Sequence, residues 1–311
     1  MSADLLLARR ERVLDAMDSA GIDVLVLGRQ DNAGYACGMR RLWTAGTRPF
    51  GAGCIVVGAT RRIHALSSWD AGIESPMTFD DLYPITWNPR IMAASMAGVD
   101  GLARAGRIGV DELTPSFRRA AANFAPRSEI APADDLMARV RRHKLPGEIE
   151  AIASGCAAAW VGVEAALGAA GGTDPAVAAI RALAGVGVTV PSSGVRAEQR
   201  GAELAVDVGV ICDLYEGGVG GVFAGGRRAG PTALVDACRP GASFDDLSAA
   251  AATGDWLVRG LGMGFERPVI GPGVGTGERL EAGMVLSVTD GHHRDVVHVT
   301  ADGPAVLSQR P

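Results

Sequence analysis

The sequence predicts an α+β protein of two domains, an α/β unit over residues 1–140 and an antiparallel α+β unit over residues 141–311. Three observations carry this reading. Up to residue 140, short apolar runs alternate with segments of helical periodicity. A basic linker, Arg139 to Lys144 and then Leu145-Pro146, follows them. From Leu204 onward the texture changes to β-rich runs separated by many glycines. A length of 311 residues is enough for two ordinary domains with real cores.

Asp4 to Ser19 reads as a helix, with Leu6, Val13 and Met17 on one face and Gly21 as its stop. Ile22–Leu27 follows as a buried strand. Cys54–Val57 and Ile63–Leu66 read as strands joined by a turn around Gly58, and Arg107–Val110 as another strand. Helices are expected near Pro115–Asn123 and Asp134–Val140. Pro146 opens a long helix at the position where a missing N–H costs nothing, and Glu148 and Glu150 complement the dipole of its first turn. This helix should run through Trp160 to about Leu167 and stop by Gly171–Gly172. In the second unit, Leu204–Cys212, Val219–Ala224, Met284–Asp290 and Asp295–Thr300 read as strands, and Asp245–Leu261 contains a helix. Gly217–Gly221 reads as a turn region. It lacks the following Lys-Ser/Thr of a phosphate loop.

Hydrophobic residues at 48% and charged residues at 21% describe a globular chain. A net charge of -5 gives no basic footprint for nucleic acid. Positive charge is almost all arginine, with Lys144 the single lysine. The first dozen residues lack the apolar core of a signal peptide, and no run of about 18 apolar residues stands out as a span. No membrane partner is therefore expected. Cys37, Cys54, Cys156, Cys212 and Cys238 are scattered and odd in number. They predict reduced, mostly buried thiols in a cytoplasmic protein.

Several segments carry a family resemblance. Arg142-His143-Lys144-Leu145-Pro146-Gly147-Glu148-Ile149, Ala205-Val206-Asp207-Val208-Gly209, Arg239-Pro240-Gly241, Glu281-Ala282-Gly283-Met284-Val285 and Val299-Thr300-Ala301-Asp302-Gly303 occur in this order in the second half. In the first half, Tyr35-Ala36-Cys37-Gly38 and Arg48-Pro49-Phe50 add to them. Together they resemble the creatinase, aminopeptidase P and methionine aminopeptidase family. The resemblance implies a creatinase-type α/β N-terminal domain followed by a pita-bread domain. It also implies a homodimer, with Arg48 reaching a substrate carboxylate across the interface.

The family holds two metal ions with two Asp, one His and two Glu, and the metals activate a water. Only the first aspartate has its match, in Asp207. The second falls on Gly218, the two glutamates on Thr289 and Arg294, and the histidine on a run, Asp255 to Glu266, that has none. Asp290 and Asp295 are each one residue out of register, which on a strand turns a side chain to the opposite face. The metal-free chemistry of creatinase uses a histidine before the first aspartate strand, and Pro191–Arg200 lacks one. Of the family His-Glu-Pro element, Glu266 remains. The resemblance thus implies a degenerate site, with no metal and no other cofactor expected.

Asp207 is then read as a retained cavity residue or as a capped sheet aspartate. Arg294 either replaces the metal and pairs with Asp207, or is a solvated strand arginine. In the first case, loss of Arg294 alone is expected to be costly, because it strands a buried carboxylate. On a regular strand His292, Arg294 and His298 share one face, which makes His298 a candidate general base and also admits a packed sheet histidine. Glu216 shares the face of position 218, and Tyr215 precedes it. The candidate catalytic residues are Asp207, His298 and Glu216, and the candidate substrate contacts are Arg48, Tyr215, Glu266, Thr289, His292 and Arg294. Two functions stay open. One is a metal-independent enzyme on a small polar substrate, by C–N hydrolysis or a related lyase or cyclisation step. The other is an inactive relative that binds a peptide, small molecule or protein.

Overall fold

The computed structural model describes residues 2–38, 53–66, 77–83, 88–111, 113–169, 172–191, 194–228 and 232–311. Arg48 lies outside them. The chain divides into two units, Met1–Val140 and Arg141–Pro311.

In the first unit, α1 (Ala3–Ala20) starts at Ser2, whose hydroxyl accepts from the Leu5 N–H, and stops at Gly21 in the left-handed region at φ 61°. Then come β1 (Val24–Leu27), α2 (Gln30–Cys37), β2 (Cys54–Val57), β3 (Arg62–Leu66), β4 (Leu82–Tyr83), α3 (Pro89–Ala97), β5 (Arg107–Val110), α4 (Pro115–Phe124), β6 (Glu129–Pro132) and α5 (Asp134–Arg142). The sheet order is β4-β3-β2-β1-β5-β6. Its centre, β1, is the apolar run Val-Leu-Val-Leu, buried at every position. It pairs antiparallel with β2 and parallel with β5. At the end of β5, buried Asp111 accepts from the Gly28 N–H at 2.6 Å and from Asn32 Nδ2 at 2.8 Å. Burial outweighs these bonds and pushes its pKa up to about 6.

The second unit opens with α6 (Pro146–Leu167) and α7 (Pro175–Gly185). Strands β7 (Val195–Arg200), β8 (Glu203–Cys212), β9 (Tyr215–Ala224) and β10 (Arg227–Arg228) follow, then α8 (Ala233–Asp236) and α9 (Phe244–Ala250). The last elements are β11 (Trp256–Leu261), β12 (Phe265–Ile270), β13 (Val285–Asp290), β14 (His293–Thr300) and β15 (Gly303–Val306). They form one sheet of order β12-β11-β13-β14-β9-β8-β7, with β10 on β9 and β15 on β14.

One face of this sheet carries the helices. Val206, Val208, Val210, Val219 and Phe223 pack against Trp160 and Val163 of α6 and Leu183 of α7. Further along the same face, Val258, Leu286, Val288, Val297 and Val299 pack against Leu234, Val235 and Leu247. Each fully buried Val or Leu contributes roughly 1.5–3 kcal/mol. The close approach of α6 depends on glycine, since a Cβ added to Gly217 would stand 2.4 Å from the Gly155 carbonyl carbon. By length and composition α6 is long and apolar enough to cross a membrane. The sequence had not marked it as such a run, because Glu148, Glu150 and Glu164 punctuate it. Here it is the helix that covers β8 and β9.

Asp245–Leu261 contains the expected helix, which ends at Ala250, and its last part, Trp256–Leu261, is a strand. One expectation changes. Gly217–Gly221 lies in the middle of β9, and the turn is Asp213-Leu214, both at positive φ. All five cysteines are free, and four are buried.

Candidate functional site

The site lies on the sheet face opposite the helices, and strand register decides which side chains reach it. Asp207 pairs with Gly220, Gly209 with Gly218 and Ile211 with Glu216 across β8 and β9. Arg294 of β14 pairs with Gly220 and with Thr289 of β13, and Arg259 of β11 pairs with Ser287. Paired residues point to the same side and successive residues to opposite sides. Asp207, Glu216, Thr289, Arg294 and Arg259 therefore project together, away from the valines that hold α6.

Arg294 is the centre of this group. Its Nε donates to Asp207 Oδ1 at 2.7 Å, and its Nη1 stands 3.9 Å from Glu216 Oε1. Arg259 Nη2 donates to the same Glu216 oxygen. The result is an alternating chain, Asp207–Arg294–Glu216–Arg259, of two acids and two guanidinia. Glycine makes room for it. A Cβ on Gly218 would fall 2.8 Å from the Arg294 guanidinium, and one on Gly209 would fall 3.2 Å from it. A Cβ on Gly220 would fall 2.7 Å from Asp207 Oδ1. The guanidinium thus lies across a floor of backbone that any larger residue would fill.

The contact expected between Asp207 and Arg294 is present, but its expected energetics are not. The Asp207 side chain is 39% exposed, against 13% for Arg294. Water can solvate Asp207 if the arginine is lost, so a large cost no longer follows. Thr289 sits beside Arg294 on the site face, as its register requires. His298 lies on that face too, four residues along β14. Burial alone pushes its pKa down, and no described carboxylate adds to that, so the expected acid–histidine pair is not formed.

Three other candidates are placed elsewhere. His292 is exposed in the Gly291-His292 turn between β13 and β14, because the strand begins only at His293. Tyr215 turns to the helix face, where its buried hydroxyl donates to Glu148 Oε1 at 3.0 Å. It is one residue from Glu216, and one residue is one face. Glu266 is a buried structural anion that accepts from Arg141 at 2.7 Å and from Lys144 Nζ at 2.6 Å. Burial alone would raise its pKa, but Lys144 and Arg141 hold it below the usual carboxylate range.

Asp290 and Asp295 point to the helix face, as the one-residue offset requires. Asp290 is buried and accepts from the N–H groups of Ala252 and Thr253 at 2.8 and 3.0 Å. Asp295 is buried and accepts from Arg228 at 2.9 Å and from the Ser308 hydroxyl at 2.7 Å. Arg259 is the site residue that sequence reasoning missed. Recognising 256–261 as a strand, from the alternation Trp256, Val258 and Gly260 inward, would have exposed it.

A dinuclear centre needs several carboxylate or imidazole donors converging on one point. Among the described residues no three His, Cys, Asp or Glu side chains gather as such a group, Asp207 and Glu216 are each held by an arginine, and the Arg294 charge lies where a cation would have to sit. This donor set does not fit such a centre.

Residues 9–143 match the family model of the Creatinase/Prolidase N-terminal domain. No curated protein matches the chain in sequence. Among solved structures, the prolidase from Pyrococcus horikoshii OT3 superposes with a TM-score of 0.71 at 16% identity, covering 98% of this chain and 99% of that one. An Xaa-Pro dipeptidase from Bacillus anthracis gives 0.69 at 17% identity, with 98% of each chain covered. An X-Pro aminopeptidase from Thermotoga maritima MSB8 gives 0.70 at 14%, covering 97% of this chain and 98% of that one. At these identities the likeness establishes the fold. The chain therefore matches a creatinase/prolidase N-terminal domain over residues 9–143 and, over nearly its whole length, shares the pita-bread fold of these prolidase and aminopeptidase structures.

Proposed function

We propose that the site face is a metal-independent binding site for a small polar molecule or peptide, on a prolidase fold that has lost peptide hydrolysis. The observation that carries this reading is the Arg294 guanidinium, hydrogen-bonded to Asp207 across Gly209 and Gly218. Hydrolysis needs an activated water. A metal ion would supply it, but a fixed cation that cannot be deprotonated takes that place. A free carboxylate base would supply it, but both carboxylates are engaged by guanidinia. Asp207 is the most exposed member of the array and is the group that a ligand amine or amide can reach.

One observation favours a second reading. His298 lies on the same face, and burial favours its uncharged form, which is the form a general base needs. That reading is a metal-independent C–N hydrolase or lyase.

The test is dialysed protein measured for bound metal and assayed on Xaa-Pro dipeptides, with and without added manganese. We expect no stoichiometric metal and no turnover in either condition. Metal-free turnover that disappears in His298→Gln would select the second reading. Turnover that requires manganese would overturn both.

A further inference from the structure

The large sheet of the second unit has two edges, and they are finished differently. β12 is blunted, because Pro268 lies within it and its register against β11 shifts between Arg259 and Gly260. Both devices discourage the addition of a further strand. β7, at the other edge, has neither. Its pairing with β8 runs unbroken, from Val195 opposite Val208 to Arg200 opposite Glu203. Among the described residues, no strand covers its outer side.

Strand phase fixes what that side offers. The Gly194 carbonyl accepts from the Gly209 N–H, so residues 194, 196, 198 and 200 direct their backbone groups at β8. Val195, Ala197 and Gln199 therefore hold their N–H and C=O groups outward. An open edge of this kind templates any extended chain, and the side chains choose among candidates.

Arg196, Glu198 and Arg200 are exposed on one face of β7, in alternating sign. In an antiparallel pairing of β7 with itself centred on Ala197, Arg196 stands opposite Glu198 of the second copy, twice. Val195 stands opposite Gln199, and the outward groups match in about six hydrogen bonds. The two charge pairs fall at non-hydrogen-bonded positions, where opposed side chains are closest. Centring the pairing on Glu198 instead sets Glu198 against itself and Arg196 against Arg200, like against like. Glu198 accepts from Arg200 of its own chain at 3.0 Å in an exposed pair, which leaves it free to receive a second arginine.

Apolar surface lies beside this edge. α7 packs on β7 and leaves Val177 and Ile180, one turn apart, 41% and 46% exposed. A two-fold axis through Ala197, perpendicular to the sheet, keeps the α7 helices of both copies on the same side of the joint.

We propose that β7 is a self-pairing interface, through which a second copy of this chain continues the sheet antiparallel about a two-fold axis at Ala197. It differs from the interface that the family resemblance implies, in which Arg48 crosses between copies. The joint borders the site face, since Arg196 stands opposite Asp207 on β8.

The experiment is sedimentation of the full chain over a range of concentrations, unchanged and with the charges altered. The unchanged chain is expected to dimerise at about 10 µM. Arg196→Glu and Glu198→Arg should each weaken the dimer by about tenfold or more, because each sets like charges opposite one another. An equimolar mixture of these two variants should dimerise again, as should one chain carrying both substitutions, because opposite charges then face each other. Both positions are exposed, so the variants should fold, and unchanged unfolding temperatures of the monomers check this. The amides of Val195, Ala197 and Gln199 should gain protection from hydrogen exchange as concentration rises. A monomer up to about 100 µM overturns the proposal. So do a dimer that the single variants leave intact, a mixture that fails to restore it, or edge amides whose exchange ignores concentration.

Discussion

Asp207 and Asp295 stand on opposite faces of one sheet, and each is held by an arginine. Asp207 meets Arg294 at 2.7 Å with 39% of its side chain exposed. Asp295 meets Arg228 at 2.9 Å with 2% exposed, and Ser308 supplies a further hydrogen bond. The distances are alike, but water reaches only one of the pairs. The comparison teaches that an ion pair belongs to the scaffold when its carboxylate has no other solvent, and to a site when it has. The glycines repeat the lesson. Gly217 meets the backbone of α6, whereas Gly218 meets the movable end of Arg294.

The sharpest way to break this contrast is to remove the arginines one at a time. Arg228→Met leaves Asp295 buried with the Ser308 hydroxyl as its remaining side-chain partner. It should destabilise the protein by about 3–5 kcal/mol in urea unfolding. Pairing it with Asp295→Asn should recover much of that loss. If Arg228→Met costs no more than Arg294→Met, exposure does not separate the two pairs.

The next effect is steric. Gly217→Ala should cost about 1–3 kcal/mol or more, since neither α6 nor β9 can retreat without disturbing the core. Gly218→Ala should cost less than about 1 kcal/mol, because a guanidinium can swing aside. Thermal unfolding of the two variants compares adjacent residues on opposite faces, and equal losses would count against the assignment of faces.

A smaller effect is the coupling between Asp207 and Arg294. A double-mutant cycle with Asp207→Asn and Arg294→Met should return about 1 kcal/mol or less at moderate salt, and less still at high salt. A coupling several times larger would show that the site pair is as desolvated as the Asp295 pair.

The smallest effect is a titration. The His298 midpoint, followed by NMR, should lie below the ordinary value of 6.5, because burial disfavours the imidazolium. The folded-state pKa is depressed, so this histidine's contribution to stability is present above 6.5 and is lost as pH falls through the folded value. Asp207→Asn should leave the midpoint where it is. A further fall in that variant would reveal an acid–histidine pair between them.

Much of this was legible in the sequence. The offset of Asp290 and Asp295 by one residue sufficed to send them away from the site, because a strand has a period of two. Arg294 reads from the sequence either as a partner of Asp207 or as a solvated strand arginine, and the 2.7 Å contact selects the first. The helix at Pro146 and its end near Leu167, the strands β1, β2, β3, β5, β8, β9, β13 and β14, and the free, mostly buried cysteines follow from local pattern in the same way.

What local pattern could not supply is register between distant strands and access to water. His292 was read on the face of Arg294, but the turn claims it and β14 starts one residue later. Glu266 was read as a family remnant facing a ligand, until Arg141 and Lys144, over a hundred residues earlier, closed around it. Arg259 is invisible to local pattern, which marks a helix within Asp245–Leu261 but leaves the strand after it unassigned. By itself, the sequence determined the fold class and the identity of the charges available to the site face. Only the tertiary structure decided which of those charges share a face and which of them water still reaches, because pairing and burial are set by residues far apart in the chain.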